Sequence, residues 1–180
     1  MNDVLTYIKQ EAEKLYPEAV KTRRDLHRHP ELGFKEVRTA KVVADYLRAL
    51  NLDVTERVGK TGVVAILNGD KVGKTVALRA DLDALPIQEE TGLDFSSEVP
   101  GVMHACGHDG HTSILLHTAK LLSSMKSKIS GRVKFIFQPA EELSHGGATL
   151  MCQEGAVDDA DAIFGLHIWP SIDTGYIGVL

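Results

Sequence analysis

Cysteine is nearly absent from this 180-residue chain: Cys106 and Cys152 are the only two, too few for a secreted scaffold stapled by several disulfides. A single Cys106–Cys152 bridge in a secreted domain is the remaining alternative. In a reducing compartment, however, a cysteine flanked by histidines is a reactive or metal-bound thiol. No apolar run approaches the roughly eighteen residues of a membrane span. The opening MNDVLTYIKQEAEKLY mixes charge with apolar residues where a signal peptide would carry an unbroken apolar stretch, so a cytoplasmic protein is expected. Basic charge is also short. Twenty Lys and Arg stand against 25 Asp and Glu, a net charge of −5, and the basic residues are dispersed, so neither a nucleic-acid nor a membrane surface is expected. Repeats, low-complexity tracts and linkers are missing too. What is left suits one globular unit, 43% hydrophobic and long enough for one core.

The periodicity of the first fifty residues is helical. Leu5, Ile8, Ala12 and Leu15 form one stripe, Pro17 is expected to restart a second helix that breaks at His29-Pro30, and a third runs from about Glu36 to Leu50 before Asn51 ends it. The period then changes. GVVAILNG (62–69) and TVALRADLDALPI (75–87) read as buried strands. A helix is expected over about 107–126, a strand in GRVKFIFQPAEE (131–142), a short helix ending at Gly155, and a last strand in DAIFGLHIWP (161–170). This alternation predicts an α/β three-layer sandwich with a central, largely parallel mixed sheet, whose ligands gather at the carboxyl ends of the strands.

The polar residues fall where that rule places a site. Asp81 and Asp83, Glu141 and Glu142, and His167 each lie at or just past a predicted strand end, and Cys106 and His108 lie at the mouth of a helix. In MHACGHDGH (103–111) one residue separates Cys106 from His108, so a turn at Gly107 must aim both side chains inward, and the helix dipole there favours a thiolate. Thiolate, imidazole and carboxylate together suit a divalent metal. Adjacent carboxylates such as Glu141 and Glu142 repel unless a cation or a shared proton compensates them; one could ligate while the other acts as a general base. Asp81 and Asp83 share a strand face, where either could orient a ligand or cap a turn. His104 and His111 read as pocket or supporting residues, His117 as structural or exposed, and His27 and His29 as helix-end residues with a function left open.

These motifs resemble a known family. RRDLHRHPELGFKE, RADLDALPIQEETG, MHACGHDGHTSILLHTAKLL, FIFQPAEE and GLHIWP, in that order and over nearly the whole chain, are similar to the dinuclear metallo-amidohydrolases and metallopeptidases that include aminoacylases, hippurate hydrolases and auxin-conjugate hydrolases. The resemblance implies a zinc-peptidase-like catalytic domain with two divalent ions, drawn from Zn, Mn, Co or Ni. It implies metal ligands at Cys106, His108, Glu142 and His167, a general base at Glu141, and a supporting carboxylate at Asp83. Asp81 stands where more distant relatives carry a ligating histidine. The implied reaction is hydrolysis of an N-acyl amino acid, such as an N-acetyl or N-benzoyl derivative, and the implied full-length relatives are homo-oligomers.

Members of that family are longer. They continue into a lid and dimerisation domain, then return with further strands and a last histidine ligand, so residues 1–180 are expected to be the N-terminal portion of the catalytic domain, weak in metal binding and turnover alone. An inactive metal-binding fragment or scaffold of the same fold is the alternative reading. An incomplete sheet should also leave apolar surface open to self-association.

Overall fold

Where the sequence pattern predicts two helices, a single helix, α1, runs over Asn2–Arg28 in the computed structural model, which describes residues 2–179. Pro17 lies inside it. A proline there lacks the N–H that would bond four residues back, but the helix continues through the defect, packed on the later helix α3, His108–Ser124. Ser113 Oγ of α3 donates to the Ala19 carbonyl at 2.7 Å, and Lys120 Nζ reaches Glu18 at 2.6 Å. The second helix, α2 (Val37–Ala49), stops where expected. Asn51 adopts φ 58°, its N–H bonds the Arg48 carbonyl, and the Leu52 N–H bonds that of Leu47, the paired closure that a left-handed residue after a helix permits.

Five strands follow: β1 (Asp53–Val58), β2 (Gly62–Asn68), β3 (Lys71–Asp81), β4 (Ser130–Gln138) and β5 (Ala162–Gly165). Their order is β1-β2-β4-β3-β5. The sheet is mixed, as expected: β1–β2 and β2–β4 are antiparallel, while β4–β3 and β3–β5 are parallel. The first strand, DVTERV, has no counterpart in the pattern analysis, because an edge strand that is mostly exposed carries no apolar alternation.

Alternation along the inner strands sorts the core into two layers. Val63, Ala65, Leu67, Ala80, Leu82, Phe135 and Phe137 face α2 and α3, whereas Val64, Ala77 and Ile136 face the short helix α4 (Gly147–Gln153) through Met151. Helices therefore cover both faces, which makes three layers. Ile163, Phe164, Leu166, Ile168 and Trp169, on and after β5, are exposed. Among the described residues, no helix is long and apolar enough to cross a membrane.

Register decides what this frame presents. β3 and β4 run parallel and end together at the pair Asp81–Gln138, with β5 on the far side of β3. The segments after these three strands therefore emerge at one edge, beside the start of α3.

Candidate metal centre

Gly107, at φ 88°, precedes the first residue of α3, and this left-handed turn lets Cys106 and His108 converge on one side. The imidazole of His108 is fully buried and held in one tautomer: its Nδ1–H donates to the Asp83 carbonyl at 2.8 Å, with Asp83 Oδ1 at 3.3 Å. That leaves Nε2 with its lone pair free. Buried and without a hydrogen-bond partner among the described residues, Nε2 lies 3.7 Å from Asp81 Oδ2, 3.9 Å from Glu141 Oε2 and 3.7 Å from Glu142 Oε1. These separations are too long for hydrogen bonds. The two glutamate separations match donors around a shared ion, since ligand bonds of about 2.0–2.2 Å place two donors roughly 3–4 Å apart.

His167 completes the same arrangement. Its Nδ1–H donates to the Ile168 carbonyl at 2.7 Å, which turns Nε2 towards Cys106 Sγ at 3.4 Å. Donor atoms of Cys106, His108 and His167 all fall within 4.8 Å of one another, as do those of His108, Glu141 and Glu142. His108 belongs to both groups. A soft thiolate, two imidazoles and two carboxylates form a donor set for a borderline divalent metal, and an otherwise orphaned buried nitrogen fits such an ion better than it fits an apolar pocket.

Two buried carboxylates hold the segment that carries the glutamate pair. Asp83 Oδ1 accepts the Glu141 N–H at 2.9 Å, and Oδ2 accepts the Glu142 N–H at 3.1 Å. One residue earlier, Glu36 Oε1 accepts the Ala140 N–H at 2.8 Å, while Glu36 Oε2 accepts the Thr61 hydroxyl at 2.6 Å. Three consecutive amides are thus fixed by two side chains from other elements. Ala140 needs the support, because at φ 49° it occupies the left-handed region, a conformation costing on the order of 1–3 kcal/mol. Burial raises the Glu36 carboxyl, and its hydrogen bonds only partly offset that. Glu36 did not emerge from the sequence as a site residue. Its signal was a lone carboxylate just before an apolar-periodic run, and its amide partner lies 104 residues away. Glu36→Ala is expected to lower stability by about 1–3 kcal/mol, because it orphans a buried N–H, and to weaken metal binding as Glu142 loses its setting; chemical unfolding and a metal titration check the two effects.

The electrostatics follow from crowding. Burial pushes the Cys106 thiol up, and a hydrogen bond to Glu142 and the surrounding carboxylates add to it, to about 12. The thiolate expected from the helix dipole is therefore overturned for the metal-free protein: desolvation and the nearby carboxylates outweigh the dipole. Burial would lower His108, but Asp83, Asp81 and Glu142 outweigh it and hold the imidazole above its ordinary value. For Asp81, burial is opposed by the His111 hydrogen bond, His108 and Arg79, which bring the carboxyl to about 2. Asp83 is likewise lowered, as the His108, Glu141 and Glu142 hydrogen bonds overcome its burial.

All six residues predicted from sequence, Cys106, His108, Glu141, Glu142, His167 and Asp83, meet at this edge. The disulfide alternative fails: both cysteines are free, with Cys152 exposed on α4 behind the opposite face of the sheet. His27 is a helix-end residue, as expected, in the last turn of α1, and it is buried there, bonded to Asp109 Oδ2 at 2.7 Å and to Glu89 at 3.2 Å; it ties the end of α1 to the start of α3. His29 bonds the Asp25 carbonyl. His117 is structural, its Nδ1–H donating to the Ser113 carbonyl. His104 is buried beside this cluster with neither ring nitrogen bonded among the described residues.

The strand-end cluster of thiol, imidazoles and carboxylates on a mixed α/β sheet is a candidate divalent-metal centre. The chain belongs to peptidase family M20/M25/M40, whose profile matches residues 77–180. It is 47% identical over 173 residues to an N-acyl-L-amino acid amidohydrolase of Geobacillus stearothermophilus, covering 96% of this chain and 47% of that protein. It is also 47% identical to an N-acetylcysteine deacetylase of Bacillus subtilis, over 89% of this chain and 42% of that protein. The fold matches the Bacillus subtilis YXEP protein, described as a dinuclear metal-binding peptidase of the M20 family, with TM-score 0.88 and 44% identity, over 93% of this chain and 47% of that one. The chain thus spans about half the length of the relatives it matches.

Proposed function

We propose that this chain is the ligand-bearing N-terminal portion of a metal-dependent amidohydrolase that cleaves N-acyl amino acids. The observation that carries the reading is His108 Nε2, buried, unbonded among the described residues and surrounded at 3.7–3.9 Å by carboxylates of Asp81, Glu141 and Glu142. Cys106, His108, Glu142 and His167 would hold two divalent ions, drawn from Zn, Mn, Co or Ni. When bound, such ions acidify a water and polarise an amide carbonyl.

The protein's own residues supply the proton transfers. Glu141 takes a proton from the attacking water on a carboxylate oxygen as the C–O bond forms, and returns it to the amine nitrogen as the C–N bond breaks. Asp83 keeps the base aimed by binding the Glu141 and Glu142 amides, and the carbonyl of the same residue fixes the His108 tautomer. The family resemblance implies that the remaining length of the full protein carries a lid, a subunit contact and a last histidine; those groups would close over the substrate in a homo-oligomer. Two free cysteines suit a reducing cytoplasm.

The substrate reading draws on the similarity to the amidohydrolase of Geobacillus stearothermophilus and the deacetylase of Bacillus subtilis. It is tested by amine release from N-acetyl and N-benzoyl amino acids before chelation, after chelation, and after adding back each metal. Loss with the chelator and recovery with one or more ions is the expected result. Hydrolysis indifferent to the chelator refutes the metal reading, and tight ion binding with no turnover of any substrate supports a scaffold instead.

A further inference from the structure

Asp81, His108 and His111 form a third group of potential donors, all buried, within the same 4.8 Å limit. Composition alone would add Asp81 and His111 to the ligand set, but hydrogen bonds occupy both His111 ring nitrogens and already engage each Asp81 carboxylate oxygen. The Ile168 N–H donates to His111 Nε2 at 2.9 Å, so that nitrogen's lone pair is occupied. The ring proton is therefore on Nδ1, which donates to Asp81 Oδ1 at 2.6 Å. The other carboxylate oxygen, Oδ2, receives Arg79 Nη1 at 2.7 Å, and Arg79 Nε is anchored on Gln138 Oε1 at 2.9 Å.

We infer that Asp81 and His111 are positioning residues: resting on the metal-centre reading above, they set the turn after β5 so that His167 Nε2 faces Cys106. The relay runs from Gln138 through Arg79, Asp81 and His111 to the Ile168 amide, one residue from the ligand itself. The His111 ring also packs edge-on against the His167 ring, centroids 4.6 Å apart. From the other side, the turn lies directly on α3, where a Cβ on Gly110 would come within 2.6 Å of Ile168 Cδ1. This contact matters because β5 is only four residues long and exposed throughout; the strand itself cannot fix a turn beyond its end, and the described bond from α3 does.

The test compares His111→Phe with His111→Gln. Phenylalanine keeps a ring but offers Ile168 no acceptor, whereas glutamine restores a neutral acceptor without an imidazole. In the metal-free protein, amide exchange at Ile168 is expected to speed up in His111→Phe and to stay slow in His111→Gln. In a Co²⁺ titration followed by the thiolate-to-cobalt charge-transfer band, His111→Phe should weaken binding by about ten- to a hundredfold, the usual scale for an outer-shell partner, and His111→Gln should recover most of it. If His111→Phe does not fold by circular dichroism, Asp81→Asn carries the test, since a neutral acceptor holds the His111 Nδ1–H less firmly; faster Ile168 exchange with weaker Co²⁺ binding is then expected. Two results overturn the inference. One is His111→Gln losing a bound ion as completely as His111→Phe, which would make His111 a ligand. The other is unchanged exchange and unchanged affinity in His111→Phe, or in Asp81→Asn where that variant stands in. His167→Ala separates this from the underlying reading: if it leaves the Co²⁺ band and affinity intact, the metal centre itself is wrong, whereas intact binding in His111→Phe alone removes only the positioning role.

Discussion

Glu141→Gln is expected to reduce hydrolysis by about 10²–10⁴-fold, the scale of general acid–base catalysis, while leaving metal content unchanged. The two neighbouring glutamates are not equivalent. Glu142 lies 3.7 Å from His108 Nε2, is the less exposed of the pair, and is the carboxylate that does most to push the Cys106 thiol up, so it shares an ion's surroundings with two other donors. Glu141 stands further out, 3.9 Å from the same nitrogen and with 40% of its side chain exposed, where substrate and water can reach it. Glutamine keeps the shape and the backbone bond to Asp83 but cannot accept the proton. Glu142→Gln should behave differently, losing bound metal together with activity. Elemental analysis beside the hydrolysis assay distinguishes the two, and metal loss in Glu141→Gln with full metal in Glu142→Gln would exchange their roles.

How much of this was readable in the sequence depended on whether a residue's partner was local. Asp81, Asp83, Glu141, Glu142 and His167 were visible because the rule that sites form at strand ends needs only strand boundaries, and the parallel β4–β3–β5 arrangement obeys it. The Cys106-Gly107-His108 turn was visible because its glycine is the hinge. Pro17 misled because the contacts that hold α1 through it come from Ser113 and Lys120, nearly a hundred residues on. Glu36 was invisible for the same reason, and so was the division of labour between Asp83 and Asp81. Two aspartates on one face of one strand look alike until the backbone amides on one side and His111 and Arg79 on the other are in place.

Apparent metal affinity should rise by at least about a hundredfold between pH 6 and pH 8, because ligation must displace protons that the metal-free site holds. With its thiol pushed up to about 12, Cys106 is protonated throughout that range, and one displaced proton makes binding about tenfold tighter per pH unit. His108 adds to the slope. Its pKa is raised by the flanking carboxylates, so below that folded value an imidazolium must also give up its Nε2 proton before the nitrogen can bind. The same shift acts oppositely on the metal-free fold: a histidine raised above its unfolded value of about 6.5 contributes stability that is present below that pH and is lost as pH rises through the folded pKa. Asp81 and Asp83, both lowered, contribute stability above about pH 4 that is lost only as pH falls through their folded values, so they do not move between pH 6 and 8. Melting curves with and without Zn²⁺ should therefore diverge as pH rises, the metal-free protein losing the His108 contribution while the loaded protein gains from tighter binding. Competition titrations across pH 6–8 measure the slope directly, and Cys106→Ala should lower it by one proton. A flat affinity profile in the unmodified protein would remove Cys106 from the ligand set, because a buried thiol that must ionise cannot bind a cation without leaving that proton in the count.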